Sequence, residues 1–163
     1  AMFDYLLDEN GEMPLARRAA FRGEIGILGI GMNTVELLAV RNGAPVQRFT
    51  AGETLGVRRL LELVHQRGHY SLAELDAQLR DGSLDVHENL PVWQSEVLGF
   101  IERCWGRSHQ RFRSIIVVGG GAKLLRGTLL LRFKDKAHIP DDPIIATARG
   151  LYRYALTRER RRG

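Results

Sequence analysis

A mixed α/β fold, one sheet with helices on its faces, is what this sequence predicts, and three observations predict it. Between Glu24 and Ala51 three short apolar runs follow one another, the pattern of an antiparallel meander. From residue 54 onward apolar residues recur at 3/4 spacing, as on the buried side of a helix. Then "SIIVV", residues 114–118, is a continuous apolar run ending in three glycines, as expected of a strand covered on both faces.

Each element has a local reason. Ile25–Leu28, Thr34–Val40 and Pro45–Ala51 read as three sequential strands. Asn42-Gly43 between the last two is a hairpin signal, since both residue types tolerate positive φ. Val57, Leu60, Leu61 and Val64 put one apolar face on a helix that Thr54 is placed to cap. Ser71 and Glu74 form a capping box around the start of a helix carrying Leu72, Leu75 and Leu79. Residues 81–90 are polar and loop-like. A longer helix follows Pro91, with Trp93, Val97, Phe100, Ile101, Cys104 and Trp105 on one side. After Ser114–Val118, Leu124–Phe133 reads as a helix and Ala137–Ile139 as a short strand. Pro143 then opens a helix through Leu156. The first twenty-odd residues hold a short apolar run, a turn at Asn10-Gly11 and a polar stretch, with no element assigned. The predicted sheet therefore has five strands, three antiparallel and then parallel ones, in a single domain over 1–163. Residues 22–53 and 112–157 make its sheet-containing core, and 54–111 a mostly helical part with a small subdomain.

Composition narrows the function classes. A chain of 163 residues with 44% hydrophobic and 26% charged residues is an ordinary globular domain with a core that needs no disulfide. The single cysteine, Cys104, excludes an internal disulfide and a cysteine zinc cage, and fits a reducing compartment. No apolar run approaches the roughly 18 residues that span a bilayer, and no signal peptide opens the chain, so the protein reads as cytoplasmic with no membrane partner. Net charge is +5 and the pI about 9.9. Arg153, Arg158, Arg160, Arg161 and Arg162 crowd the end of the chain. They suit either a tail for an acidic partner or a solvated helix end whose arginines favour the negative pole of the dipole. No aromatic or glycine pattern accompanies them, so direct nucleic-acid binding is not expected.

Two stretches carry candidate chemistry. In "VVGGGAKLL", residues 117–125, a buried strand delivers Gly119, Gly120 and Gly121 at its carboxyl end, and a helix starts at about Ala122. Without β-carbons the backbone can approach a ligand closely, and amides at a helix start favour an anion. In an open α/β sheet that strand end is where ligands bind. It is not a Walker A loop, since Leu124 and not Ser or Thr follows Lys123. A glycine run after a buried strand serves equally well as a tight turn. In "GIGMNTVE", residues 29–36, the amides of Gly31, Met32, Asn33 and Thr34 and the Thr34 hydroxyl can hold a phosphate, or form a plain turn. The five histidines show no metal-ligand pairing, so no metal site is assigned. Cys104, Trp93 and Trp105 share one apolar helix face and read as core.

Taken in order, these stretches resemble the second half of an actin-fold ATPase, of the ParM/StbA plasmid-segregation type within the actin, Hsp70 and sugar-kinase superfamily. In that family the second phosphate loop runs Asp-Ile-Gly-x-x-Thr-x-Asp between two strands, and Ile30, Gly31 and Thr34 match it. "VRNGAPVQRFTAGETLGVRRLLELV" follows the family's strand, turn, strand and helix with an early glycine. Val117–Ala122 matches the adenosine motif, and "DPIIATARGLYRYA", residues 142–155, the closing helix. "AMFDYLLDENG" is similar to the segment ahead of the second phosphate loop. The resemblance covers essentially the whole chain.

It implies a ribonuclease H-like fold and a chain that is the second domain alone, the first domain being absent. It implies ATP or ADP with Mg2+ as cofactor, Gly31 to Thr34 facing the β- and γ-phosphates, and Gly119 to Ala122 facing the α-phosphate and adenosine. Lys123 and Arg126 would border the base or ribose. It implies self-association into filaments for DNA segregation or cell organisation, with a DNA-bound adaptor as a further partner. The family's first loop aspartate, which helps hold metal-bound water and position the attacking water, is Gly29 here, and glycine cannot do either job. The later aspartate is Glu36, which keeps the charge on a longer arm and is the candidate catalytic group. This chain by itself would then be inactive. Two alternatives stay open: a non-hydrolysing actin-fold scaffold, and a sugar- or acetate-kinase relative.

Overall fold

The computed structural model describes residues 1–65 and 68–160. The chain opens with two helices, α1 (Met2–Leu6) and α2 (Leu15–Arg22), before β1 (Glu24–Ile30) and β2 (Val35–Arg41). Two short strands follow, β3 (Ala44–Pro45) and β4 (Ala51–Glu53), then helices α3 (Val57–His65), α4 (Leu72–Asp81) and α5 (Leu90–Trp105). The remainder is β5 (Ser114–Val118), α6 (Gly121–Leu124), α7 (Arg126–Phe133), β6 (Ala137–His138) and α8 (Ala146–Arg160). Strands lie in the order β3-β2-β1-β5-β6, with β4 pairing the other half of β2. β1 is antiparallel to β2 and parallel to β5, and β5 is parallel to β6. This is the mixed sheet that the sequence predicts.

Period-two alternation sorts the strands onto two unequal faces. Leu28 and Ile30, Leu37 and Ala39, and Ile115 and Val117 turn towards α3, α5 and α7, where they join the larger core around Trp93 and Trp105. Ile25, Ile116 and Val118 turn the other way, onto Leu6 of α1 and Ala146 of α8. All five residues of β5 are buried, which is why that run is apolar without alternation. Neither indole N–H is left unpaired: Trp105 donates to Phe49 O at 3.0 Å and Trp93 to Leu55 O at 2.8 Å.

Several local expectations hold in detail. Asn42 (φ 52°) and Gly43 (φ 78°) form the two-residue turn between paired Arg41 and Ala44. Both φ values are positive, as a hairpin of this length requires. The capping box closes from both sides: Glu74 N–H donates to Ser71 Oγ at 3.3 Å and Ser71 N–H to Glu74 Oε2 at 2.7 Å. The Ser71 hydroxyl, which donates to Glu74 Oε2 at 2.7 Å, and then the Ser71 amide hold the Glu74 carboxyl below its ordinary range.

Other elements differ, each for a physical reason. The expected third strand, Pro45–Ala51, is broken into β3 and β4 by a 3-10 turn over Gln47–Phe49 that drops Phe49 into the larger core. The sheet gains a sixth strand as a result. The helix read from Leu124 is two pieces, α6 and α7, and the closing helix starts at Ala146 instead of Pro143 and runs on to Arg160. The N-terminal segment, unassigned from sequence, forms α1 and α2: α8 supplies what the short α1 lacks, and α2 packs on α1 and β1. Asp4 takes a bidentate ion pair from Arg149 and a second from Arg153, and Arg153 also donates to the carbonyls of Asp4 and Leu7. Arg160 pairs with Glu12. The end of α8 is thus tied to the start of the chain; Arg161 and Arg162 lie outside the described residues. Among the described residues no helix is long and apolar enough to cross a membrane.

Candidate functional site

Because β1 and β5 are parallel neighbours with Gly29 beside Val118, the turns that follow them leave the sheet side by side. The glycines after β5 do different work. Gly119 has φ +93°, and a β-carbon there would lie 2.3 Å from Ile30 O, at the end of β1. A β-carbon on Gly121 would lie 2.2 Å from Ile30 Cγ2 and 3.2 Å from the Trp93 ring. A side chain at Gly119 would need the backbone to move, and one at Gly121 would need Ile30 to move. Gly120 between them is exposed and has nothing within 4 Å. Gly119 N–H donates to Pro143 O at 2.8 Å, which brings the loop before α8 to the same place. The Gly120 and Gly121 amides meet no acceptor among the described residues.

The turn after β1 is locked from behind. Gly31 N–H donates to Thr34 O at 2.9 Å, closing the loop. The carbonyls of Gly31, Met32 and Asn33 accept from the amides of Val57, Arg58 and Gly56, at 3.0, 2.8 and 3.1 Å. Gly56 permits this docking, since a β-carbon there would lie 2.4 Å from Met32 O. The first amides of α3 are spent on the turn, so the donors left facing outward are those of the turn itself. Met32 and Asn33 are exposed, and their amides meet no acceptor among the described residues. Two sets of amides without acceptors thus lie on neighbouring turns, an arrangement that can attract an anion.

Gly29 pairs with Glu36 across β1 and β2, and Gly52 of β4 flanks Glu36 on its other side. A β-carbon placed on Gly29 would find Glu36 Oε2 at 3.9 Å. The Glu36 carboxylate therefore leans over the strand position where the resemblance expects an aspartate. Thr34 Oγ1 donates to Glu36 Oε1 at 3.4 Å, a long and weak bond. Glu36 is exposed. Among the described residues no group of three or more His, Cys, Asp or Glu is placed to hold a metal.

Of the other residues singled out, Ala122 is fully buried in the larger core, while Lys123 and Arg126 are exposed beyond the glycine turn. Cys104 packs partly buried against that core, and burial raises its thiol pKa. Trp93 has a part the sequence did not reveal. Its indole bonds Leu55 O beside Gly56 and its ring borders Gly121, so it props both turns from below. A tryptophan on an apolar helix face does demand an acceptor for its N–H, but nothing in the sequence says which. A cavity of about 940 Å³ lies elsewhere, between α1, α2 and the end of α8, lined by Met2, Phe3, Phe21 and Tyr154 with Arg18 and Arg158.

No protein-family model and no curated protein sequence matches the chain. Solved structures do match it. Apo pSK41 ParM superposes with a TM-score of 0.74 at 18% identity, over 98% of this chain and 47% of that one. A subunit of a 15-stranded ParM filament from Clostridium botulinum gives 0.68 at 19%, over 84% and 46%. An archaeal actin homologue gives 0.68 at 19%, over 85% and 49%, and has also been solved in complex with ADP. The chain spans about half the length of the structures it matches. The likeness establishes the fold: one ribonuclease H-like half of a ParM-type actin-like architecture.

Proposed function

We propose that this chain is the nucleotide-binding half of a ParM-like actin-fold protein that assembles into filaments, with ATP or ADP as its ligand. The observation that carries the reading is the meeting of the two turns: the amides of Met32 and Asn33, and those of Gly120 and Gly121, have no acceptor among the described residues, and Gly56 and Gly119 hold the turns by close backbone contacts. Such amides suit a phosphate chain, and the bare Gly120 lets a ligand approach the backbone. The similar structures solved as filaments, and the two solved with ADP, support the same reading for this fold. Lys123 and Arg126 would border the base or ribose.

The donor set suits phosphate better than it suits a metal. Magnesium prefers one or two carboxylates plus substrate phosphates, and here Glu36 is the carboxylate beside the turn. When bound, magnesium would neutralise charge on the phosphates. Glu36 would face it through water, oriented by Thr34, with Gly29 leaving room for the longer arm. A weakly oriented, exposed carboxylate is a poor positioner of an attacking water, so hydrolysis is expected to be slow.

Isothermal titration of ATP and ADP into the full-length protein tests this. Micromolar or tighter binding is expected, and the absence of heat with either nucleotide would defeat the reading. Gly29 favours one rival, an actin-fold scaffold that assembles without turnover. Light scattering followed together with phosphate release separates the two, since filaments that turn over phosphate exclude the rival.

A further inference from the structure

At the edge of the sheet opposite the glycine turns, where β1, β5 and β6 begin and β2 ends, the fold collects cations that are scattered in the sequence. Arg22 precedes β1, and Arg113 precedes β5 with its Cγ stacked over Gly23 at the distance a β-carbon would need. Arg48 and Arg111 lie over Phe49, their guanidinium carbons 4.6 and 5.8 Å from the ring centroid. Lys134 and Lys136 precede β6, and Lys136 Nζ donates to Gln110 O, which joins that turn to the 106–111 segment carrying Arg107.

None of these seven has a carboxylate partner among the described residues. Elsewhere pairing is commoner: Arg58, Arg59, Arg80, Arg103, Arg132 and Arg149 each hold an aspartate or glutamate, while Arg17, Arg18, Lys123, Arg126 and Arg158 do not. The carboxylates at this edge are few. Glu24 is buried and bound to Arg41, and Asp135 sits between the two lysines. Most of the cations left unpaired among the described residues thus share this edge.

We propose that this edge binds the phosphate backbone of duplex nucleic acid, without reading its sequence. Three features select that occupant. Arginine prevails, and its planar fork matches phosphate oxygens. Exposed Ile144 and Tyr152 belong to the loop before α8 and to α8, Leu131 at the end of α7 lies three residues before Lys134, and Phe49 and Phe112 are buried. A leucine beside the lysines makes no apolar face for a bilayer, and the buried rings leave no platform for stacking single-stranded bases. A second copy of the chain offers little complement, because so many of its carboxylates are taken by arginines. Five strands at about 4.8 Å spacing make an edge of roughly 20 Å, about six base pairs of duplex. The sequence alone argued against direct nucleic-acid contact because it presents only the arginine run at the chain's end as a cluster. The inference does not depend on nucleotide binding at the other edge.

Fluorescence anisotropy of a labelled 20-base-pair duplex of arbitrary sequence, titrated with the full-length protein from 50 to 200 mM salt, is the test. Expected is micromolar binding at low salt, with a log–log salt slope of about −4 if four or five phosphates are neutralised. R22Q/R113Q and R107Q/K134Q, two non-overlapping pairs checked for folding by circular dichroism, should each flatten the slope by about one per cation removed and weaken binding about tenfold. R158Q, which removes an unpaired cation elsewhere, should leave both unchanged. No binding at 50 mM salt, an equal loss per cation in the R158Q control, or displacement of the duplex by polyglutamate at matched charge would overturn the proposal.

Discussion

Where β1 and β5 end, the chain packs on glycine: Gly119 presses on the Ile30 backbone, Gly121 on the Ile30 side chain, and Gly56 on the Met32 backbone. Where the same strands begin, the surface is made of long side chains, with Arg48 and Arg111 resting on Phe49 and Arg113 across Gly23. The first edge gets its character from the removal of side chains, so it is rigid and presents main-chain amides. The second gets its character from side-chain charge on flexible stems, so it tolerates change and answers to salt. A ligand held by fixed amides and a partner held by screened charge are the two kinds of binding these constructions suit.

Breaking the rigid edge should cost most. Gly119→Ala adds a β-carbon 2.3 Å from a carbonyl oxygen at a φ that disfavours any side chain, and is expected to destabilise by about 3 kcal/mol or more. For a chain of this size that is a fall of roughly 6–12 °C in Tm, read by thermal unfolding. Trp93→Phe should cost less, about 1–3 kcal/mol, by leaving Leu55 O without its donor and a small void under both turns. Denaturant titration measures that loss, and nucleotide affinity should fall with it if the indole aligns the turns. Gly29→Asp sharpens the contrast. Its nearest neighbour would be Glu36 Cβ at an ordinary 3.8 Å, so stability should change by no more than about 1 kcal/mol. Phosphate release should rise at least about tenfold, most clearly with Glu36→Gln beside it to remove the second carboxylate. An unchanged rate would mean that this position does not limit hydrolysis.

Much of the fold was legible because its signals are local. Asn42-Gly43 needs only two positive φ values, Ser71 and Glu74 need only each other, and the 114–118 run is apolar on both faces wherever its neighbours lie. What was hidden depended on distant partners. Helices α1 and α2 are too short to announce themselves; Arg149 and Arg153 from the far end of the chain hold α1, Arg160 holds the connecting loop at Glu12, and α2 packs on α1 and β1. The break in the third strand depends on a hole in the core that only Phe49 fills, roofed by Trp105.

For the candidate site the division is sharper. The sequence alone supplied the glycines of both turns, the order of strands that places them at carboxyl ends, and the missing carboxylate at Gly29, because residue type and spacing are written there directly. It did not distinguish a glycine needed for packing from one left open to a ligand. Tertiary structure decided that Gly119 and Gly121 are forced by contact with Ile30 while Gly120 is free, and that Glu36 leans across to Gly29. It also decided that seven scattered cations share one edge. Steric exclusion and charge accumulation both depend on which parts of the chain lie next to each other, and only the folded chain brings residues 22, 48, 113 and 136 to one place.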